Sequence, residues 1–357
     1  EFLRRVSLDL TGSLPLPSEI LSFVASKSPI KRSKKIDELL KRPAYAAWWT
    51  TKLCDYTGNN AQNLNDPVFR NDMARQWYEW IYHRVKTNVS YDQIAEGLIM
   101  ATSRKKGESF QHFATGMSHH YKKENPVPFH TRESMPFYWG RRNVRKPEEK
   151  ALSFAHAFLG VRIQCAQCHK HPFDQWSKQD FEKFTQFFTR VKAGVAPDAK
   201  EAQTQLKAKL GVPVKLDTAA LRRQMYLRVS AEGLPIPWNE IWIDKPGTKP
   251  QIARLLGNEE LDLNEYDDPR EPLMAWLLEK NNPYFARAFV NRIWHHYFGV
   301  GIVEPPDDFN MANPPSNKAL LDWLSEQFIV NGYDMKWLHR TITSSQTYQL
   351  SWKPNES

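Results

Sequence analysis

The spacing of apolar residues along the chain predicts one amphipathic helix after another. Pro17-Ser18-Glu19 and Pro147-Glu148-Glu149 have the composition of helix starts, and the first opens an apolar stretch from Ile20 to Val24. The longest pattern runs from about Val68 to Lys86 and has apolar side chains at spacings of three and four: Met73, Trp77, Trp80, Ile81 and Val85. Strand-like alternation is scarce and is best at Ile241-Trp242-Ile243. The predicted fold class is mainly α.

Two stretches interrupt this pattern and predict the domain organisation. Residues 103–146 contain four histidines but few periodic apolar positions, which predicts a long irregular segment. Residues 196–265 are expected to form a connection with little regular structure. Helical patterning resumes after Asp267-Asp268-Pro269. We therefore predict two helical units, at 1–195 and at 266–357, joined by the irregular connection.

The composition limits the function classes. Hydrophobic residues make up 41% of the 357 residues, which is enough for a sizeable core and too much for a disordered chain. No run approaches the roughly 18 apolar residues of a membrane-spanning helix, so we expect no transmembrane segment. The net charge of +9 comes from dispersed basic residues without a zinc-finger, homeodomain or RNA-recognition pattern. We expect no nucleic-acid partner; an acidic redox protein or an anionic polysaccharide would suit the charge.

Neither end of the sequence has the character of a natural terminus. Glu1-Phe2-Leu3-Arg4-Arg5 lacks the basic start and apolar core of a secretion signal, and Pro354 to Ser357 closes no recognisable domain. We expect the chain to be a piece of a longer polypeptide, with a truncated second unit and a signal peptide outside it.

The segment Cys165-Ala166-Gln167-Cys168-His169 carries the clearest chemistry in the sequence. Two thiols three positions apart can bond both vinyl groups of one porphyrin, and the histidine after the second thiol brings an imidazole beneath the iron. This motif predicts one covalent haem c, with His169 as the proximal ligand. Because such attachment requires an extracytoplasmic assembly system, the motif also predicts export to the periplasm or cell surface.

Three other interpretations of the motif stay open. A structural zinc site would use Cys165, Cys168, His169 and His171, although four ligands within seven residues do not easily surround one ion tetrahedrally. A thioredoxin-like redox pair would need a βαβ pattern, and none surrounds these cysteines. The third interpretation is a chance match. The remaining cysteine, Cys54, ends a helical pattern and is expected to be a small buried thiol.

Blocks of sequence outside the motif are also distinctive. One opens the chain, one contains the motif, and the others lie towards the end: Phe2 to Gly12, Phe158 to Asp174, Asp268 to Glu271, Asn282 to Arg292, Phe298 to Pro305 and Asn313 to Asn317. With these blocks the chain resembles a family of planctomycetes and related bacteria, in which a cytochrome-c-like domain of unknown function precedes a planctomycete-specific C-terminal domain. The resemblance implies a secreted, non-standard mono-haem c-type cytochrome-like protein, but it implies no reaction.

Further residues would complete the predicted haem site. The porphyrin edge and propionates are expected to contact aromatic and arginine side chains: Trp139, Phe173, Trp176, Arg162, Arg141 and Arg142. The distal iron ligand would come from residues 103–146, where Met135 in a proline-stiffened aromatic loop is favoured and His120 is the second choice.

The predicted functions belong to two classes. A mono-haem protein would act in electron transfer or as a haem-dependent oxidoreductase, depending on whether the sixth iron position is filled. The alternative is a secreted scaffold or polysaccharide-binding protein in which a haem, or less favourably a zinc ion, is structural.

Overall fold

The computed structural model describes residues 1–66, 68–211, 219–257 and 259–351, and their fold is mainly α, as the apolar spacing predicts. Sixteen α-helices occur in these ranges: α1 (Phe2–Thr11), α2 (Pro17–Ala25), α3 (Lys31–Leu39), α4 (Pro43–Thr57), α5 (Arg70–Lys86), α6 (Tyr91–Ile99), α7 (Phe110–His119), α8 (Pro147–Phe154), α9 (Lys178–Thr185), α10 (Lys200–Lys209), α11 (Ala219–Ala231), α12 (Glu271–Leu278), α13 (Phe285–Phe298), α14 (Lys318–Val330), α15 (Met335–Ser344) and α16 (Gln346–Gln349). Across the same ranges, no helix combines the length and the apolar character needed to cross a membrane.

The strands form two small antiparallel ribbons. β1 (Val191–Gly194) pairs with β2 (Glu240–Ile243), and β3 (Ile252–Arg254) pairs with β4 (Glu260–Asp262). β2 contains the predicted strand at 241–243, which is thereby confirmed. Together with α10 and α11, the strands β2 to β4 give the predicted connection more regular structure than the sequence indicates. α10 buries only two side chains along ten residues, so its apolar pattern is weak.

Part of the segment predicted to be irregular is a helix. α7 begins after Ser109, whose hydroxyl oxygen accepts a hydrogen bond from the His112 N–H at 3.2 Å. Its buried side chains have helical spacing: Phe110, Phe113, Ala114 and Met117. The prediction is therefore wrong for residues 110–119, because the capping serine and this short apolar stripe outweigh the helix-weakening effect of Gly116 within α7. Among the described residues, the rest of the segment contains short 3₁₀ turns, loops and one isolated β-bridge between Arg141 and Leu64.

Helices from both ends of the chain contribute to one core. Tyr91 of α6 stacks on Phe289 of α13, with ring centroids 3.9 Å apart. The fully buried guanidinium of Arg270, just before α12, donates to the carbonyls of Ile99 at 2.7 Å and Ala101 at 3.1 Å. Carbonyl oxygens at a helix C-terminus are good partners for a cation that burial has stripped of water. These contacts hold the N-terminal and C-terminal helices together.

Candidate functional site

The helix that leads to the cysteine motif ends in an unusual way. α8 continues into a π-helical turn, Ala155–Leu159, which stops at Gly160 in the left-handed conformation with φ 62°. The positive φ favours glycine, and a β-carbon at this position would be crowded, 3.1 Å from the Ala288 β-carbon and 3.2 Å from the Phe309 ring. The Phe309 N–H also donates to the Gly160 carbonyl at 2.9 Å. Ala288 of α13 and Phe309 in the loop after α13 therefore hold Gly160, five residues before the motif.

Arg292 anchors the same π-helical turn. Its buried guanidinium donates to the carbonyls of His156 and Ala157 and pairs with the carboxylate of Asp307, with 2.5 Å between Arg292 Nε and Asp307 Oδ1. The contact with Ala157 spans 135 residues of sequence. Sequence reasoning missed Arg292 as a positioning residue, because no local pattern indicates a partner so distant.

The cysteine motif lies on a 3₁₀ turn, Gln164–Gln167, that packs against α9. The Cys165 carbonyl accepts hydrogen bonds from the N–H groups of Cys168 at 3.3 Å and His169 at 3.4 Å. Both thiols are exposed and free, whereas Ala166 between them is buried. The turn therefore exposes two thiols, while the buried Ala166 side chain packs it against the protein.

His169 follows directly and is also exposed. Its Nδ1 lies 2.7 Å from the carbonyl oxygen of Lys170. A carbonyl can only accept, so this contact requires the hydrogen on Nδ1 and leaves the lone pair of Nε2 available. A metal-binding histidine commonly donates its other ring N–H to a backbone carbonyl in this way.

His171 differs from His169 because both of its ring nitrogens are occupied. It is buried; its Nε2 lies 2.9 Å from the Arg162 carbonyl, and its Nδ1 accepts from the Phe173 N–H at 3.3 Å. Its own N–H donates to the Trp176 carbonyl at 2.7 Å. His171 therefore holds the loop after the motif and has no nitrogen left for a metal ion.

The zinc interpretation finds no preformed site. Among the described residues, no three His, Cys, Asp or Glu side chains are grouped so that they would hold a metal ion. Cys54 supplies no further ligand, because it is buried in α4 as expected, and burial raises the pKa of its thiol to about 12.

Three predicted haem contacts lie on the same loop as the motif. Arg162 and Phe173 are exposed, and Phe173 is 61% exposed despite its apolar ring. Trp176 is buried, and its indole N–H has no hydrogen-bond partner in the described part of the chain. A buried donor without a partner costs free energy, so this N–H is suited to an acceptor on a bound group. The exposed thiols, the free Nε2 and this indole fit a covalently attached haem.

Two family models match the chain. Residues 1–193 match the model PSCyt2, described as a protein of unknown function (DUF1549). The chain belongs to this family. Residues 269–357 match the model PSD1, described as a protein of unknown function (DUF1553). A search of curated proteins and a search of solved structures each found no match.

The two matches confirm the predicted order of two family domains, while the haem and the planctomycete origin stay predictions. The PSCyt2 segment includes the whole motif, and the PSD1 segment includes the Arg292–Asp307 pair that positions it.

Other predicted haem contacts within the PSCyt2 segment have structural partners of their own. Trp139 is buried, and its indole N–H donates to the Ile99 carbonyl at 2.8 Å. The buried guanidinium of Arg141 donates to the Tyr138 carbonyl and the Ser153 hydroxyl, both at 2.8 Å. Arg142 is exposed, and its backbone N–H donates to the Asn63 carbonyl at 2.6 Å.

The two candidates for a distal ligand lie elsewhere in the PSCyt2 segment. Met135 is completely buried, and its N–H donates to the Gly97 carbonyl at 2.8 Å. His120 has its Nδ1 2.8 Å from the Val127 carbonyl and lines a cavity formed by residues between 93 and 134. None of residues 162–176 lines that cavity. The distal ligand therefore stays a prediction.

Proposed function

We propose that the chain is an extracytoplasmic mono-haem c-type cytochrome-like protein that acts in electron transfer or as a haem-dependent oxidoreductase. The observation that carries this proposal is the pairing of two exposed thiols on one turn with an adjacent histidine whose Nε2 is free. Export follows from the same proposal, because thioether formation requires an extracytoplasmic assembly system.

Each residue of the motif has a defined part. Cys165 and Cys168 would hold the haem covalently: each S–H would add across one vinyl group, forming a carbon–sulfur bond while the thiol hydrogen goes to the other vinyl carbon. His169 would hold the iron through Nε2, and the Lys170 carbonyl keeps its ring in the tautomer that this requires. The bound haem supplies one-electron redox chemistry at its iron.

The neighbouring side chains would orient and cover the porphyrin. The indole N–H of Trp176 would donate to a propionate, and the exposed guanidinium of Arg162 would supply positive charge. Phe173 would cover apolar porphyrin surface, which would give its exposed ring an apolar partner.

The first test is a pyridine haemochrome spectrum of the chain produced in a host competent for cytochrome maturation. We expect the signature of two thioether bonds, and we expect Cys165→Ser or Cys168→Ser to change or abolish it. Cys54→Ser is the matched control, because this buried thiol lies in α4 and should leave the spectrum unchanged. A wild-type chain that carries no haem under these conditions would overturn the proposal.

Whether a protein side chain occupies the sixth coordination position of the iron would distinguish electron transfer from reactions at an open iron site. Met135 and His120 are the proposed distal ligands, and either would leave the iron closed to small ligands. Rapid binding of carbon monoxide to the reduced protein would favour oxidoreductase chemistry. Slow or absent binding would favour electron transfer to an acidic redox partner, which the excess of 49 basic over 40 acidic residues would attract.

A second candidate is an anionic-polysaccharide-binding protein with a structural haem. The observation that favours it is a polar groove of about 770 Å³ in which basic side chains outnumber acidic ones. Its lining includes Arg104, Lys105, Lys106 and Arg132, against Glu96, Glu108 and Glu133. Binding of an immobilised anionic polysaccharide that is weakened by Lys106→Glu, combined with a haem that cannot be reduced and reoxidised reversibly, would favour this function.

A further inference from the structure

The segment from Leu14 to Ile30, which contains α2, exposes an unusual number of large apolar side chains. Six of them are more than two-fifths exposed: Leu14, Leu16, Ile20, Leu21, Val24 and Ile30. Leu21 and Val24 are each 72% exposed, and α2 has no buried residue. An amphipathic surface helix normally turns its apolar stripe to the core, whereas α2 turns it to solvent.

The orientation of α2 is fixed by contacts on its opposite side. Glu19 forms ion pairs with Arg42 and with Lys35, the latter at 3.3 Å, and Phe23 stacks on Phe2 with ring centroids 6.0 Å apart. The hydrogen bond from Arg42 is the main reason that the pKa of Glu19 falls to about 2. Glu19 and Phe23 are four positions apart and so lie on one face of α2. Because this face contacts the rest of the protein, the opposite face, with Leu21 and Val24, points to solvent.

Basic side chains flank the exposed apolar face. Residues 14–42 contain seven Lys or Arg residues and three Asp or Glu residues. Lys31 is the first residue of α3, and its ammonium donates to the carbonyl of Ser26, which directly follows α2, at 2.8 Å. Lys31, Lys34 and Lys35 line a groove of about 430 Å³ between α2 and α3. That groove lies on the side of α2 that carries Glu19 and Phe23. Lys27, two residues after the end of α2, is exposed and places positive charge at the end of the apolar face.

We propose that this face docks onto an anionic lipid surface. Interfacial helices bury an apolar face at the boundary between headgroups and acyl chains, while adjacent lysines remain at the phosphates. Leu21 and Val24 supply the apolar contact, and the exposed lysines Lys27 and Lys34 supply positive charge. A second copy of the chain is a poorer occupant, because face-to-face pairing would bring the two basic flanks together. The proposal is independent of haem.

Co-sedimentation with lipid vesicles tests the apolar contact. We expect the chain to pellet with vesicles of equal parts phosphatidylcholine and phosphatidylglycerol, and much less with phosphatidylcholine alone. Val24→Glu should lower the partition coefficient by at least about tenfold, because in the vesicle-bound state it replaces an apolar contact with the lipid by a charge. Val330→Glu is the matched control, since Val330 is also at a helix end and is 67% exposed.

The charge contribution has its own test. Lys34→Glu should weaken partition onto the anionic vesicles by roughly fivefold or more, because one basic residue near such a surface contributes about that factor. Lys200→Glu changes an exposed lysine outside the segment and should have a smaller effect. Added salt should weaken binding of the wild type, since screening reduces the attraction.

Several results would overturn the proposal. Equal pelleting with neutral and anionic vesicles would show that charge does not contribute to binding. Equal effects of Val24→Glu and Val330→Glu would show that α2 is not the contact. A wild-type dimer that Val24→Glu dissociates, together with no pelleting on either vesicle, would identify the face as a contact between copies. Circular dichroism of each variant verifies that folding is retained.

Discussion

The hydroxyl of Tyr297 and the Nδ1 of His339 form a 2.7 Å hydrogen bond inside the protein. Tyr297 belongs to α13 and His339 to α15, and the His339 ring centroid lies 3.9 Å from that of Trp49 in α4. His339 is completely buried. This polar pair therefore lies where helices from the two ends of the chain meet, and its loss should weaken the whole fold.

Tyr297→Phe should lower the free energy of unfolding by about 1–3 kcal/mol, because it leaves Nδ1 of His339 buried without a partner. Urea denaturation followed by tryptophan fluorescence measures this change. Tyr333→Phe is the control: the Tyr333 hydroxyl is buried without a hydrogen-bond partner among the described residues, so its removal should cost little. Equal losses in the two variants would contradict a specific role for the Tyr297–His339 bond.

Burial also makes His339 a source of pH-dependent stability. Desolvation holds its pKa well below the usual 6.5, so the folded protein keeps the ring neutral while the unfolded chain takes up a proton. The contribution of the neutral His339 ring to the free energy of unfolding is therefore fully present well above pH 6.5 and is lost as the pH falls below this value. Urea unfolding across this window should show a steeper decline for the wild type than for His339→Gln. Parallel curves would contradict the assignment.

The parts of the structure that depend on nearby residues were the easiest to predict from sequence. The strong apolar spacing within residues 68–86 predicts α5, and the motif spacing places two thiols and His169 on one turn. The sequence does not predict α7, because its stripe of apolar residues is short. The contact of Arg292 with the π-helical turn and the outward face of α2 depend on distant partners, so local patterns did not indicate them.

The three cysteines should differ in reactivity when the chain carries no haem. Cys165 and Cys168 are exposed, whereas burial raises the pKa of Cys54 to about 12 and so suppresses its thiolate. Iodoacetamide should label the first two thiols of the folded protein and reach Cys54 only after denaturation, as read by peptide mass spectrometry. Fast labelling of Cys54 in the folded protein would contradict its placement in the core.

The Arg292–Asp307 pair should contribute more to stability than an ordinary surface pair. The Arg292 side chain is only 2% exposed, so Asp307→Asn leaves a buried cation without its counter-charge, and we expect a loss of about 3 kcal/mol or more. Asp322→Asn disrupts the more exposed pair with Arg287 and should cost about 1 kcal/mol or less. Chemical denaturation compares the two variants, and a similar small loss in both would show that Arg292 is held by backbone carbonyls alone.

His171 and His169 should have separable effects on the proposed haem site. His171→Ala removes the contacts with the Arg162 carbonyl and the Phe173 N–H, so the loop loosens and covalent haem incorporation should fall several-fold. The haem that is incorporated should keep the wild-type visible spectrum, because His169 still offers its Nε2. His169→Ala should instead change that spectrum by removing the proximal ligand. A His171→Ala spectrum altered in the same way as that of His169→Ala would mean that His171 binds the iron, contrary to the geometry of its occupied ring nitrogens.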